Sequence, residues 1–156
     1  MKGLKKLRQL ALADDRIKHP TFPERFRAIR NYNDRTANGL TRCIIDYLRF
    51  TGCQAERINN TGRYIDGSKV VKDTIGRTYK IGSGKWIPGS GTKGTADISA
   101  IIAGKAVKIE IKIGRDKQSP DQIAYQQAVE KADGLYWVCH NFEEFLYQYI
   151  LVLTNS

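Results

Sequence analysis

From Ala106 to Lys112 the chain alternates: Val107, Ile109 and Ile111 fall on one parity, Lys108, Glu110 and Lys112 on the other. A period of two is that of a strand with one apolar and one polar face. Ile98 to Ile102 is a second apolar run, and the Ala103-Gly104 step between the two suits a two-residue turn. That turn sets Ile102 opposite Lys105. Counting back along the hairpin then places Asp97 opposite Glu110, with facing Cβ atoms about 4.5–5.5 Å apart.

Elsewhere a period near 3.6 predicts helices. Leu4, Leu7 and Leu10 mark one over residues 3–13. Phe22, Phe26 and Ile29 suggest a second, short one beyond His19-Pro20, carrying Arg25, Arg27 and Arg30. The longest runs from about Thr36 to Thr51, with Leu40, Ile44, Tyr47 and Leu48 as its buried stripe and Gly52 as its stop. Residues 53–59 read as a strand and Asn60-Thr61-Gly62 as a turn. Val70-Val71 and Arg77 to Ile81 suggest a hairpin about Gly76, and Gly82 to Gly94 reads as a glycine-rich loop.

Ser119-Pro120-Asp121-Gln122 is a helix start with a cap, a first-turn proline and a capping-box glutamine. That helix continues to Asp133 and stops at Gly134. Leu135 to Cys139 is a short buried strand, and Asn141 and Glu144 open a last helix reaching about Leu153. The order helix, strand, hairpin, helix, strand, helix predicts an α/β domain with a central sheet covered by helices. At 156 residues the chain suits one domain with an accessory segment. We place a basic helical extension over 1–33 and the main domain over 34–156.

Charge adds a partner class. The net charge is +10, and residues 1–33 alone hold nine Lys/Arg against three Asp/Glu. Such a balance favours a polyanion, most simply nucleic acid, although many basic proteins are merely soluble. The arm can follow DNA, or pack on the domain or a partner through its Leu and Phe residues. No apolar run approaches a membrane span, and the N-terminus has no secretory signal pattern. Three scattered cysteines, Cys43, Cys53 and Cys139, form no C-x-x-C pair, so neither a zinc site nor a disulfide framework is expected. Cys43 and Cys139 read as core residues, and a reducing cytoplasm, bacterial or phage-infected, is the expected compartment.

The candidate chemistry lies on the hairpin. Two carboxylates set opposite each other repel unless a cation lies between them. Oxygen ligands of this kind suit Mg²⁺ or Mn²⁺, and the neighbouring Lys112 can steady developing negative charge. A plain solvated sheet face can carry the same alternation. Gly82 to Gly94 lacks the spacing of a P-loop and leads into a strand. Lys85 and Lys93 there can contact a nucleic-acid backbone, as can Arg115 and Lys117 after the hairpin. Trp86 suits base stacking or simple packing. Gln118, Gln122 and Gln126 share one helix face, which either meets the site or is solvated.

The segment G-T-A-D-I…K-I-E-I-K…Q-S-P-D-Q…Y…V-E-K-A-D-G-L-Y-W-V resembles the PD-(D/E)XK nuclease superfamily. Within it the chain looks most like the VRR-Nuc group, related to archaeal Holliday junction resolvases. The resemblance covers roughly residues 36–145 and is most specific from Gly94 to Val138. It implies a restriction-endonuclease-like mixed sheet flanked by helices. It also implies metal-dependent hydrolysis of DNA, possession of Mg²⁺ or Mn²⁺, and a homodimer as one form of partner. RNA fits the same charge. Asp97 and Glu110 would be the metal carboxylates, joined by the Ile111 carbonyl. Lys112 would be the motif lysine, and Gln122 the glutamine of the following helix. The family's first-helix glutamate is missing; Asn38 or Asp34 stands nearest its place. A member that binds nucleic acid without cutting it is the alternative.

Overall fold

The computed structural model describes residues 2–59, 62–87, 89 and 91–155. Thr36 caps α2 (Ala37–Phe50), its side chain accepting the Gly39 N–H, and Gly52 leaves the helix at φ +80. The chain returns as β1 (Gln54–Arg57) and later forms the hairpin β6 (Ile98–Ile102) and β7 (Lys105–Ile111). Ile102 pairs with Lys105 and Ile98 with Ile109, so the register is the one the alternation predicts. Ala103 and Gly104 both have positive φ, 49 and 76, the conformation of a hairpin-closing two-residue turn.

Ala103 is the strained member, because an L-residue meets its own carbonyl in the left-handed region. Ala103→Asn is therefore expected to stabilise the protein by about 0.5–1 kcal/mol, read as a higher melting temperature with the fold unchanged.

α3 (Pro120–Lys131) carries the chain to β8 (Leu135–Cys139), which lies parallel to β7, and α4 (Phe142–Thr154) follows. The sheet order is β1-β6-β7-β8, antiparallel except for its last pair. Among the described residues this is a mixed α/β fold with four α-helices. Val107, Ile109 and Ile111 face α2 and α4 and are buried with Leu40, Ile44, Tyr47 and Leu48. Tyr47 is the hub: Phe142, Phe145 and Tyr149 meet its ring edge-on at centroid distances of 5.7, 5.8 and 5.4 Å. α3 covers the other face, where Tyr125 meets Tyr136 of β8. Burial pushes the Cys43 and Cys139 thiols up to about 12, so both are packing groups rather than nucleophiles. No helix among the described residues is long and apolar enough to cross a membrane.

The N-terminal segment differs from its expected form. One helix, α1 (Lys2–Lys18), is longer than predicted, and only a three-residue 3₁₀ turn, Glu24–Phe26, stands where a second helix was expected. Pro20 and Pro23 each remove a helical N–H donor, which breaks the periodic run. Arg27 is buried rather than offered to DNA: it donates to Asp15 Oδ2 and to the carbonyls of His19 and Phe22. Phe22 and Phe26 stay exposed. Leu7 is fully buried, and α1 packs on α2 and α4.

Two compact units result, 1–58 with 94–156, and 59–93. α1 belongs to the same unit as the sheet.

The Gly3 N–H donates to Glu143 Oε1 at 2.9 Å, tying α1 to α4. That bond, first among several, holds the Glu143 carboxyl below its usual range. A depressed carboxyl stabilises the fold above its unfolded pKa, and the benefit is lost as pH falls through the folded value. Glu143→Gln keeps an acceptor for that N–H, so at pH 7 it should lower the melting temperature only slightly, by the solvent-screened charge contribution. The gap to wild type should close below about pH 4; a gap that persisted there would refute the ionic account.

The second unit consists of two ribbons. β2 (Arg63–Ile65) pairs with β5 (Lys85–Ile87), and β3 (Lys69–Lys72) pairs with β4 (Thr78–Ile81) about Gly76, whose φ is +84. The hairpin was expected, whereas the β2–β5 ribbon was not, and β5 replaces part of the supposed glycine-rich loop. None of its described residues is buried, so no apolar alternation announced it. Residues 60 and 61 of the expected turn lie outside the described residues.

Candidate functional site

Asp97 immediately precedes β6, and Glu110 lies near the end of β7. Asp97 Oδ2 accepts the Ile111 N–H at 2.9 Å, which fixes its carboxylate beside Glu110. Glu110 is 2 % exposed and Lys112 5 % exposed. Both are on the polar parity of β7, the face that α3 covers. Lys112 Nζ lies 3.1 Å from Glu110 Oε1, 3.0 Å from Gln122 Oε1 and 3.4 Å from Asp116 Oδ2. Three acceptors satisfy its three donors.

Gln122 closes the arrangement. Its Nε2 donates to Glu110 Oε1 at 2.5 Å, while its Oε1 accepts both Lys112 and the Ser119 N–H. The Ser119 bond is half of the capping box that starts α3. Gln118 donates to Gln126 and also hydrogen-bonds Tyr136, while Gln126 donates to Glu130.

Burial and then the Asp97 charge push the Glu110 carboxyl above its usual range, against the pull of Lys112. Burial works against the Lys112 ammonium, but Glu110 and Asp116 outweigh it and raise its pKa. Lys112 is accordingly held as an ammonium. Glu110 and Asp116 flank the Lys112 ammonium and Asp97 lies beside Glu110, so carboxyl groups outnumber the cation.

Sequence reasoning missed Asp116 and Tyr136. Tyr136 Oη approaches Glu110 Oε2 at 3.5 Å, the outer limit of a hydrogen bond. Burial and the Glu110 charge raise its pKa. Parity along β8 was the available signal, since Tyr136 pairs with Lys108 and shares the Glu110 face. Asp116 lies in the loop after β7 and had no such signal.

Arg115 and Lys117 are exposed in that same loop. Lys85, on β5, and Lys93 are exposed in the 59–93 unit. Neither candidate for the missing first-helix carboxylate hydrogen-bonds to Asp97, Glu110 or Lys112 among the described residues. Asp34 Oδ2 instead accepts the Phe142 N–H at the start of α4. Asn38 lines a cleft on α2 beside Arg42 and Arg57.

Among the described residues no group of three His, Cys, Asp or Glu side chains is placed to hold a metal ion. The donors facing each other are the Asp97 and Glu110 carboxylates; among the described residues Glu110 Oε2 has only the long Tyr136 contact. Oxygen donors and an excess of negative charge fit a hard divalent cation. No protein-family model matches the chain, and no curated protein matches it.

Proposed function

We propose that this protein is a divalent-metal-dependent nuclease of the PD-(D/E)XK kind, hydrolysing phosphodiester bonds in DNA. The observation that carries this reading is the buried Glu110, held between Lys112 and Gln122 with the Asp97 carboxylate beside it. The mixed sheet with the hairpin inside it and helices on both faces supports the restriction-endonuclease-like version of the fold. Asp97 and Glu110, with the Ile111 carbonyl, would hold Mg²⁺ or Mn²⁺. Bound there, the cation supplies Lewis acidity toward water and phosphate.

The remaining roles belong to the chain. Lys112 keeps a positive charge beside the reacting phosphate and offsets the charge that builds as a water oxygen bonds to phosphorus. The P–O bond to the leaving oxygen breaks in the same displacement; the attacking water gives up a proton to solvent, and the leaving oxygen takes one up from solvent. Gln122 holds Lys112 and Glu110 in register, and the Ile111 N–H orients Asp97. No covalent intermediate with the protein is required. Arg115 and Lys117 are suited to the flanking backbone, and Lys85 and Lys93 to nucleic acid on the second unit. A reducing cytoplasm is the setting that fits its free cysteines.

Wild type is expected to cut at least one of a labelled panel (single strand, duplex, flap, four-way junction) with Mn²⁺. Asp97→Ala, Glu110→Ala and Lys112→Ala should each lose about 10²–10³-fold or more in rate. Equal rates in wild type and variants would end the assignment. One observation favours a second reading, a nucleic-acid-binding module without catalysis: Asp34 is engaged at α4, leaving two carboxylates at the site. Calorimetric titration with Mn²⁺ separates the two, since that module requires no metal binding.

A further inference from the structure

A second concentration of charge lies on the opposite face of the sheet. α2 and β1 border an open cleft of about 510 Å³ lined by Arg30, Arg42, Arg49 and Arg57, with Asn38 and Asp46. Arg42 and Arg49 are seven residues apart, two turns along one helix stripe. Two of the four guanidinium groups are anchored. Arg30 Nη1 pairs with Asp46 Oδ2 at 2.9 Å, and Asp46 also accepts the Tyr32 hydroxyl at 2.9 Å. Arg49 donates through Nε and Nη2 to the Ala55 carbonyl, at 3.3 and 3.2 Å. Arg42 and Arg57 are exposed and form no ion pair among the described residues. Four like charges thus border one concavity, with a single carboxylate to oppose them. A bound anion would relieve their repulsion, and guanidinium forks suit phosphate oxygens.

Topology relates this cleft to the candidate site. β1 is the edge strand, and Arg57 pairs with Ile98, the residue after Asp97. Arg57 shares the parity of Ala55, which is buried in the core with α2, whereas Asp97 lies on the parity that α3 covers. A strand leaving the Asp97 end of the sheet around the β1 edge meets Arg57 first and the α2 arginines next.

We propose that this cleft is a second phosphate-binding position, holding the sugar–phosphate backbone of nucleic acid away from the reacting phosphodiester; it rests on the reading of the site as one for nucleic acid. The probe is a labelled duplex, followed by anisotropy in Ca²⁺ or EDTA so that cleavage plays no part. Arg42→Ala/Arg57→Ala should bind at least about tenfold more weakly at about 150 mM salt, with the slope of log affinity against log salt smaller by about 2. The Arg42→Lys/Arg57→Lys variant, which keeps the charge, should recover most of that slope. Both side chains are exposed, and an unchanged melting temperature confirms that the fold is kept.

Affinity and slope equal to wild type would overturn the proposal. So would competition by inorganic phosphate at constant ionic strength with no effect of the pair on DNA, which would assign the cleft to free phosphate. Asp97→Ala is measured alongside. An arginine effect that persists when wild type cuts nothing would retain the cleft and discard the nuclease reading.

Discussion

Asp97→Asn is expected to abolish cleavage and, in metal-free buffer, to raise the melting temperature. The Ile111 N–H that Asp97 accepts can be accepted equally by an asparagine oxygen, so the local geometry should survive. What disappears is one negative charge beside the buried Glu110, whose carboxyl burial and Asp97 together push upward. Relief of a close like-charge contact is worth about 0.2–1 kcal/mol, or about 0.4–4 °C at this size. Cleavage should fall by about 10³-fold, because one of the two carboxylates proposed to hold the cation is lost.

Adding Mn²⁺ should reverse the order of stabilities. Ligand at a hundred times its Kd stabilises the wild type by about 2.7 kcal/mol, and the variant gains little. A variant that melted below wild type without metal would show that the two carboxylates do not oppose each other.

Gly94→Ala should be the most damaging single-methyl change near the site. Gly94 has φ +74, and a Cβ there would stand 2.2 Å from the Asp121 oxygen, 2.3 Å from its carbonyl carbon and 2.7 Å from the Gln122 nitrogen. These are backbone atoms in the first turn of α3, so no rotamer change avoids them. Strain and overlap together should cost about 2–4 kcal/mol. Displacing that turn also moves Gln122 from Glu110 and Lys112, so activity should fall even where the variant is folded.

Gly104→Ala is the control: φ is similar at +76, but nothing lies within 4 Å of the added methyl. It should cost only about 1–2 kcal/mol and leave the folded protein active. Equal losses in the two variants would mean that the clash at α3 is absent.

The hairpin was legible because one rule governed it. Val107, Ile109 and Ile111 alternate with Glu110 and Lys112, and a two-residue turn at Ala103-Gly104 leaves a single register. β8 and the caps at Thr36, Ser119 and Asn141 were equally local, each set by side chains within three residues of the helix start. What failed had no local signature. Arg27 reads as one more exposed charge, yet tertiary contacts with Asp15 and two carbonyls bury it. β2 and β5 lie about twenty residues apart and bury nothing, so neither periodicity nor apolar content marked them. Asp97, Glu110, Lys112 and Gln122 were foreseen as a group and do converge. Tyr136 lies in a strand whose apolar run marks burial but not which of its side chains face Glu110. The Asn38 or Asp34 question was open because parity says nothing about which end of another helix a short loop residue will cap.

Gln122 has a consequence for which substitutions this position tolerates. A capping box accepts glutamate as readily as glutamine. Here the same amide must offer an oxygen to Lys112 and to the Ser119 N–H, and an N–H to Glu110. Glutamate would present a second carboxylate to Glu110, lysine has no acceptor, and asparagine is one methylene too short to span the same gap. The requirements of chain folding and of the site therefore converge on one side chain. A library randomised at 122 should return glutamine when selected for activity, and glutamine or glutamate when selected for stability alone.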